Sequence, residues 1–79
     1  MKIKIHGIYK HFKGNLYIVE DIGYHSETKE KLVIYRALYE DNKLWCRPYK
    51  MFIEELDRER QIKFGQTHRF EFQYIKSKA

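Results

Sequence analysis

The sequence predicts a mainly β domain: a small antiparallel roll or barrel with one short helical turn. Three observations carry that expectation. Val33, Tyr35, Ala37 and Tyr39 alternate with Ile34, Arg36, Leu38 and Glu40, a period of two rich in β-branched and aromatic residues that suit a pleated surface. Turn-forming stretches, Gly14-Asn15 and Glu40-Asp41-Asn42-Lys43, separate such runs at short spacing, which makes an antiparallel meander and leaves no room for crossover helices. The chain has 79 residues, a size that buries only about 60% of its unfolded surface, so seven tyrosines and five phenylalanines must supply much of one compact core.

Taken in order, Lys2 to His6 alternates polar and apolar residues and reads as a short strand, with a bend at Gly7. Strands follow over 8–13 and 16–24, joined at Gly14-Asn15; a two-residue turn sets Phe12 opposite Tyr17, and Gly23 is a candidate bulge. His25 to Glu30 is polar enough for a loop. Strands over 31–39 and 44–48 form the central hairpin, ended by Pro48, which has no N–H for the ladder. Symmetry about Asp41-Asn42 pairs Tyr39 with Leu44, Leu38 with Trp45, Ala37 with Cys46 and Arg36 with Arg47. One face then holds Val33, Tyr35, Ala37, Tyr39, Leu44 and Cys46 as interior; the other holds Leu38, Trp45 and two opposed arginines.

Beyond Pro48 the apolar residues 49, 52, 53 and 56 take helical spacing, predicting one or two turns that press Met51, Phe52 and Leu56 against the open end of the roll. Asp57 to Gln61 reads as a solvated connection into which the helix can extend. Ile62-Lys63-Phe64 reads as a short strand, His68 to Ile75 as a further strand with His68, Phe70, Phe72 and Tyr74 on one side, and 76–79 as a frayed tail.

A formal net charge of +5 and a pI near 9.4 favour anionic partners. No apolar run approaches the roughly 18 residues of a membrane span, the first residues lack the continuous apolar stretch of a signal peptide, and the single cysteine, Cys46, has no internal partner. A reducing, cytoplasmic setting is the expectation, with Cys46 a core thiol.

The run Gly7 to Tyr17, then His25-Ser26-Glu27-Thr28, Leu32 to Tyr39, Leu44 to Pro48 and Met51-Phe52 resembles, in order and spacing, the small bacterial proteins called domain of unknown function family 1653. The resemblance covers about Gly7 to Phe64 and implies a single SH3-like β-roll; it implies no activity. Cys46 stands where an aliphatic residue is expected, consistent with a buried thiol. Residues 65–79 lie beyond the resemblance as a strand and a tail.

Catalytic machinery is not visible. The histidines at 6, 11, 25 and 68 show no metal-binding spacing, and Glu54 and Glu55, as helix neighbours, point in different directions and form no acid/base pair. Their expected roles are solvation, favourable placement near a helix N-terminus, or pairing with Arg36 and Arg47. No enzyme activity, metal or cofactor is therefore expected. The remaining constellation is Arg36, Trp45 and Arg47, with Tyr9, His11 and Lys13 from the first hairpin as neighbours. Cations that hold phosphates beside rings that stack on unpaired bases suit single-stranded nucleic acid. Trp45 and Leu38 anchoring an acidic peptide is the alternative, and burial of Trp45 as simple core the third reading.

Overall fold

The computed structural model describes residues 2–74. Strands β1 (Ile8–His11), β2 (Leu16–Tyr24), β3 (Lys31–Ala37) and β4 (Leu44–Pro48) form the meander. Helices α1 (Tyr49–Phe52) and α2 (Arg58–Phe64) follow, and β5 (Phe70–Phe72) returns to pair with β1. The result is an open five-stranded antiparallel sheet in the order β4-β3-β2-β1-β5, with β4 and β5 at its edges.

Alternation along the strands builds the core as expected for β3, where Val33, Tyr35 and Ala37 are all buried. Tyr9 and Val19 join them from β1 and β2, and α1 lays Phe52 flat on Phe70, ring centroids 4.1 Å apart. Tyr9, Tyr35 and Tyr17 meet these rings edge-on, the arrangement that places positive ring edges against negative faces. Leu56 is buried outside this ring cluster, while Met51 is exposed, so only part of the expected helical plug faces inward.

Both hairpins differ from the expected register, and for the same reason. The first pairs Tyr9 with Tyr17, not Phe12 with Tyr17, because the turn is wider than two residues: His11 N–H donates to Asn15 O and Gly14, at φ 111°, donates back to His11 O. The second pairs Tyr35 with Trp45 and Val33 with Arg47. Its loop spans Leu38 to Asn42 between Ala37 N–H and Lys43 O, with Glu40 and Asn42 both at positive φ and the Asn42 amide donating to Ala37 O. Each register differs from expectation by three positions, and an odd slip carries every side chain of one strand to the opposite face. Trp45 and Arg47 therefore share the core face with Tyr35 and Val33, whereas Leu44 and Cys46 turn to the outer face with Arg36 and Ile34. Cys46 is exposed and is not a core thiol.

Other elements shift too. Lys2 to His6 is not a strand; its backbone caps the core, with Lys4 N–H on the Tyr9 hydroxyl at 2.9 Å and His6 N–H on Val19 O at 2.7 Å. The β2 bulge falls at Glu20, between Val19 and Asp21, and Gly23 pairs regularly with Leu32. Residues 62–64 are helix, not strand. Asp57 caps α2 by accepting from Arg60 N–H at 2.8 Å, and Gly65 ends it at φ 65°, where a side chain would be strained. The expected last strand is confined to Phe70–Phe72; Ile75 and the tail lie outside the described residues.

Candidate functional site

The placement of α2 creates a concavity against the β1–β2 turn. Residues on either side of it pair like a hairpin neck: Leu56 N–H bonds Thr67 O, Arg69 N–H bonds Glu54 O, and Glu55 bridges His68. Phe12 N–H bonds Arg69 O at 3.0 Å, and buried Gln66 reaches Lys10 O and His68 O through its amide. The neck is thereby sewn to β1, and α2 stands beside the β1–β2 turn. Between them opens a cleft of about 610 Å³.

Its walls are cationic and aromatic. Phe12, buried, is ringed by the Arg60, Arg69 and Lys13 charges at 5.6, 5.7 and 5.9 Å from its centroid, and Phe64 meets it edge-on. Such contacts contribute roughly 0.5 to 1 kcal/mol each where water reaches the cation. Lys13, Arg47, Arg60, Lys63 and Arg69 line the cleft against two carboxylates, Asp57 and Glu59.

The five cations divide by their partners. Arg60 is held by Asp57 at 2.9 Å, and Arg69 by Glu54 through two nitrogens at 2.9 and 3.1 Å. Lys13, Arg47 and Lys63 have no carboxylate within 4.0 Å among the described residues. Arg47 lies over the Phe70 ring at 5.5 Å and donates to the Tyr35 hydroxyl at 3.3 Å, a neutral partner that leaves its charge uncompensated. Burial and the nearby charges of Arg47, Arg69 and Lys13, in that order, lower the His11 pKa from 6.5 to about 4. The ring is neutral near pH 7; its Nδ1 accepts the Lys13 N–H at 3.1 Å, so the proton resides on Nε2. Asp57 is held below the ordinary carboxylate range by the Arg60 N–H and side chain.

Of the residues singled out from the sequence, His11, Lys13 and Arg47 meet at this cleft. Trp45 lies two residues before Arg47 on the same strand face, 46% exposed, so it is not buried as simple core. Arg36 is on the other side of the sheet, donating to Glu20 at 3.2 Å and to Asn42 O at 2.9 Å. Tyr9 is buried and cannot present a stacking face. Glu54 and Glu55 turn to Arg69 and His68, and not to Arg36 or Arg47. Sequence reasoning missed Phe12, Arg60, Lys63, Phe64 and Arg69, all but Phe12 of which depend on α2 and its neck.

No group of three or more His, Cys, Asp or Glu side chains suited to a metal ion exists among the described residues, and no helix there is long and apolar enough to cross a membrane. The family model described as protein of unknown function, DUF1653, matches residues 7–72, which includes β1 through β5 and the whole cleft, so 65–72 lies within the family region and not beyond it as expected. No curated protein and no solved structure matches the chain.

Proposed function

We infer that this chain, which belongs to the DUF1653 family, is a non-catalytic binding module for single-stranded nucleic acid, with the cleft between the β1–β2 turn and α2 as its site. The observation that carries this reading is the gathering of Lys13, Arg47 and Lys63, all without carboxylate partners among the described residues, in one aromatic cleft. Like charges held together cost energy in the free protein, and an anion that enters relieves it. Rings supply the second half of the reading: Phe64 in the cleft is 38% exposed and Trp45 on β4 more so, and a base stacked on such a ring contributes about 1 to 3 kcal/mol. The acidic-peptide alternative draws on the same cations and on exposed Trp45 and Leu38.

An SH3-like roll belongs to the same reading. A four-strand meander whose fifth strand returns beside the first, after a helical excursion, supports it.

Titration of the chain with a mixed single-stranded oligonucleotide and with an acidic peptide of equal charge, at two salt concentrations, tests the function. Binding that weakens steeply with salt and loses affinity on Trp45→Ala or Phe64→Ala supports nucleic acid. Peptide binding that survives salt, with no oligonucleotide binding, overturns it.

A further inference from the structure

We propose that the cleft seats one backbone phosphate, gripped by Lys13, Arg47 and Lys63 and hydrogen-bonded by the Nε2–H of His11. The proposal rests on the nucleic-acid reading of the same cleft and narrows it to a single subsite with a named donor.

The three cations come from three separate elements: Lys13 from the β1–β2 turn, Arg47 from β4 and Lys63 from α2. Convergence of charges from distant parts of the chain, each left without an acid among the described residues, distinguishes this cluster from a solvated basic face. Arg60 and Arg69, in the same cleft, show the contrast, since each already has its carboxylate.

His11 is arranged as a fixed neutral donor. Its ring stacks on Phe12 at 4.4 Å and meets Phe70 edge-on at 5.0 Å, so its plane is set by packing. Nδ1 is occupied by the Lys13 N–H; no buried side-chain nitrogen among the described residues lacks a partner, so the Nε2–H, without a protein acceptor there, is open to solvent and to a ligand. The charged groups around the ring are Lys13 on its own turn, Arg47 on β4, Arg69 before β5, and, farther along the cleft, Arg60, Lys63, Asp57 and Glu59 from α2 and its cap. Burial is the largest cause of the low His11 pKa, followed by the charges of Arg47, Arg69 and Lys13; a phosphate held by Arg47 and Lys13 neutralises part of that field, so ligand binding and protonation of His11 favour one another. A volume of about 610 Å³ exceeds one phosphate and leaves room for a sugar and base toward Phe64.

The test follows the His11 ring by NMR across pH in the full chain, free, with inorganic phosphate, and with oligothymidine. The expected result is a midpoint near 4 in the free protein that rises by about 1 to 3 pH units with either ligand. A second measurement takes the slope of log affinity for oligothymidine against log salt. One phosphate shared by three cations predicts that the triple variant Lys13→Gln, Arg47→Gln, Lys63→Gln loses about 0.7 of slope; three separate phosphates would remove about 2. The double variant Lys13→Gln, Lys63→Gln keeps Arg47 on Tyr35 and serves if the triple variant unfolds: its loss stays under about 0.7 for a shared phosphate and reaches about 1.4 for separate ones. Oligothymidine bound with His11 unmoved, or a slope loss of the larger size, overturns the subsite and leaves the nucleic-acid reading standing. Inorganic phosphate moving His11 while oligothymidine fails to bind does the reverse.

Discussion

Arg36 and Arg47 sit on adjacent strands of one sheet and have opposite surroundings. On the outer face, Arg36 lies between Glu20 and the Asn42 carbonyl, so its charge ties the β2 bulge to the β3–β4 loop. On the inner face, Arg47 rests on Phe70 and donates to the Tyr35 hydroxyl, with no carboxylate partner among the described residues and further cations across the cleft. The same residue type is scaffold where the chain supplies an acid and a candidate contact where it does not.

The sharpest way to break the contrast is to remove the floor beneath Arg47. Phe70→Ala deletes a fully buried ring stacked on Phe52 and should cost about 3 to 5 kcal/mol in urea unfolding, with ligand binding lost at the cleft. The outer face, by comparison, loses no direct contact.

Acid should separate the two regions next. The folded pKa of His11 lies below the unfolded value of 6.5, so the unfolded chain binds more protons in the interval between them. This contribution is complete above 6.5 and disappears as pH falls toward about 4. Because solvent reaches the ring and screens its neighbours, we expect a loss of about 1 to 2 kcal/mol between pH 7 and 4, measured by denaturation at each pH. His11→Gln, whose amide oxygen can still accept from Lys13 N–H, should flatten that part of the profile; an unchanged profile would show that the acid sensitivity arises elsewhere.

The arginines themselves give the smallest effects. Arg47→Gln should weaken oligonucleotide binding about tenfold, or about 1.4 kcal/mol. Arg36→Gln should leave affinity within about twofold and cost less than about 1 kcal/mol of stability, as for other half-exposed ion pairs. Calorimetric titration of both variants decides whether the two surroundings differ as described, and equal losses of affinity would erase the distinction.

The meander was legible because period-two alternation and turn residues report directly on the backbone, and the buried set Val33, Tyr35 and Ala37 followed from it. Register was not legible, because it depends on loop width. Neither Gly14-Asn15 nor Asp41-Asn42 reveals that the backbone closes one turn at His11 and Asn15 and the other at Ala37 and Lys43. That hidden width placed Arg36 with Arg47 in the sequence reading and separates them in the fold. Helix α2 was missed for a different reason: it buries no residue, and Ile62 is 76% exposed, so apolar periodicity gave no signal. Its ends were written plainly, with Asp57 as cap, Glu59 in the first turn, Lys63 in the last and Gly65 beyond. Attention to caps would have recovered α2 and, with it, half of the cleft wall.

The outward turn of Cys46 gives the molecule a built-in chemical handle. It is the chain's one thiol, exposed on β4, and it points to the side of the sheet opposite Trp45 and Arg47. A maleimide dye or a solid support attached there would leave the cleft open to ligand. The single tryptophan, one residue away on the other face, would report from the ligand side by its own fluorescence.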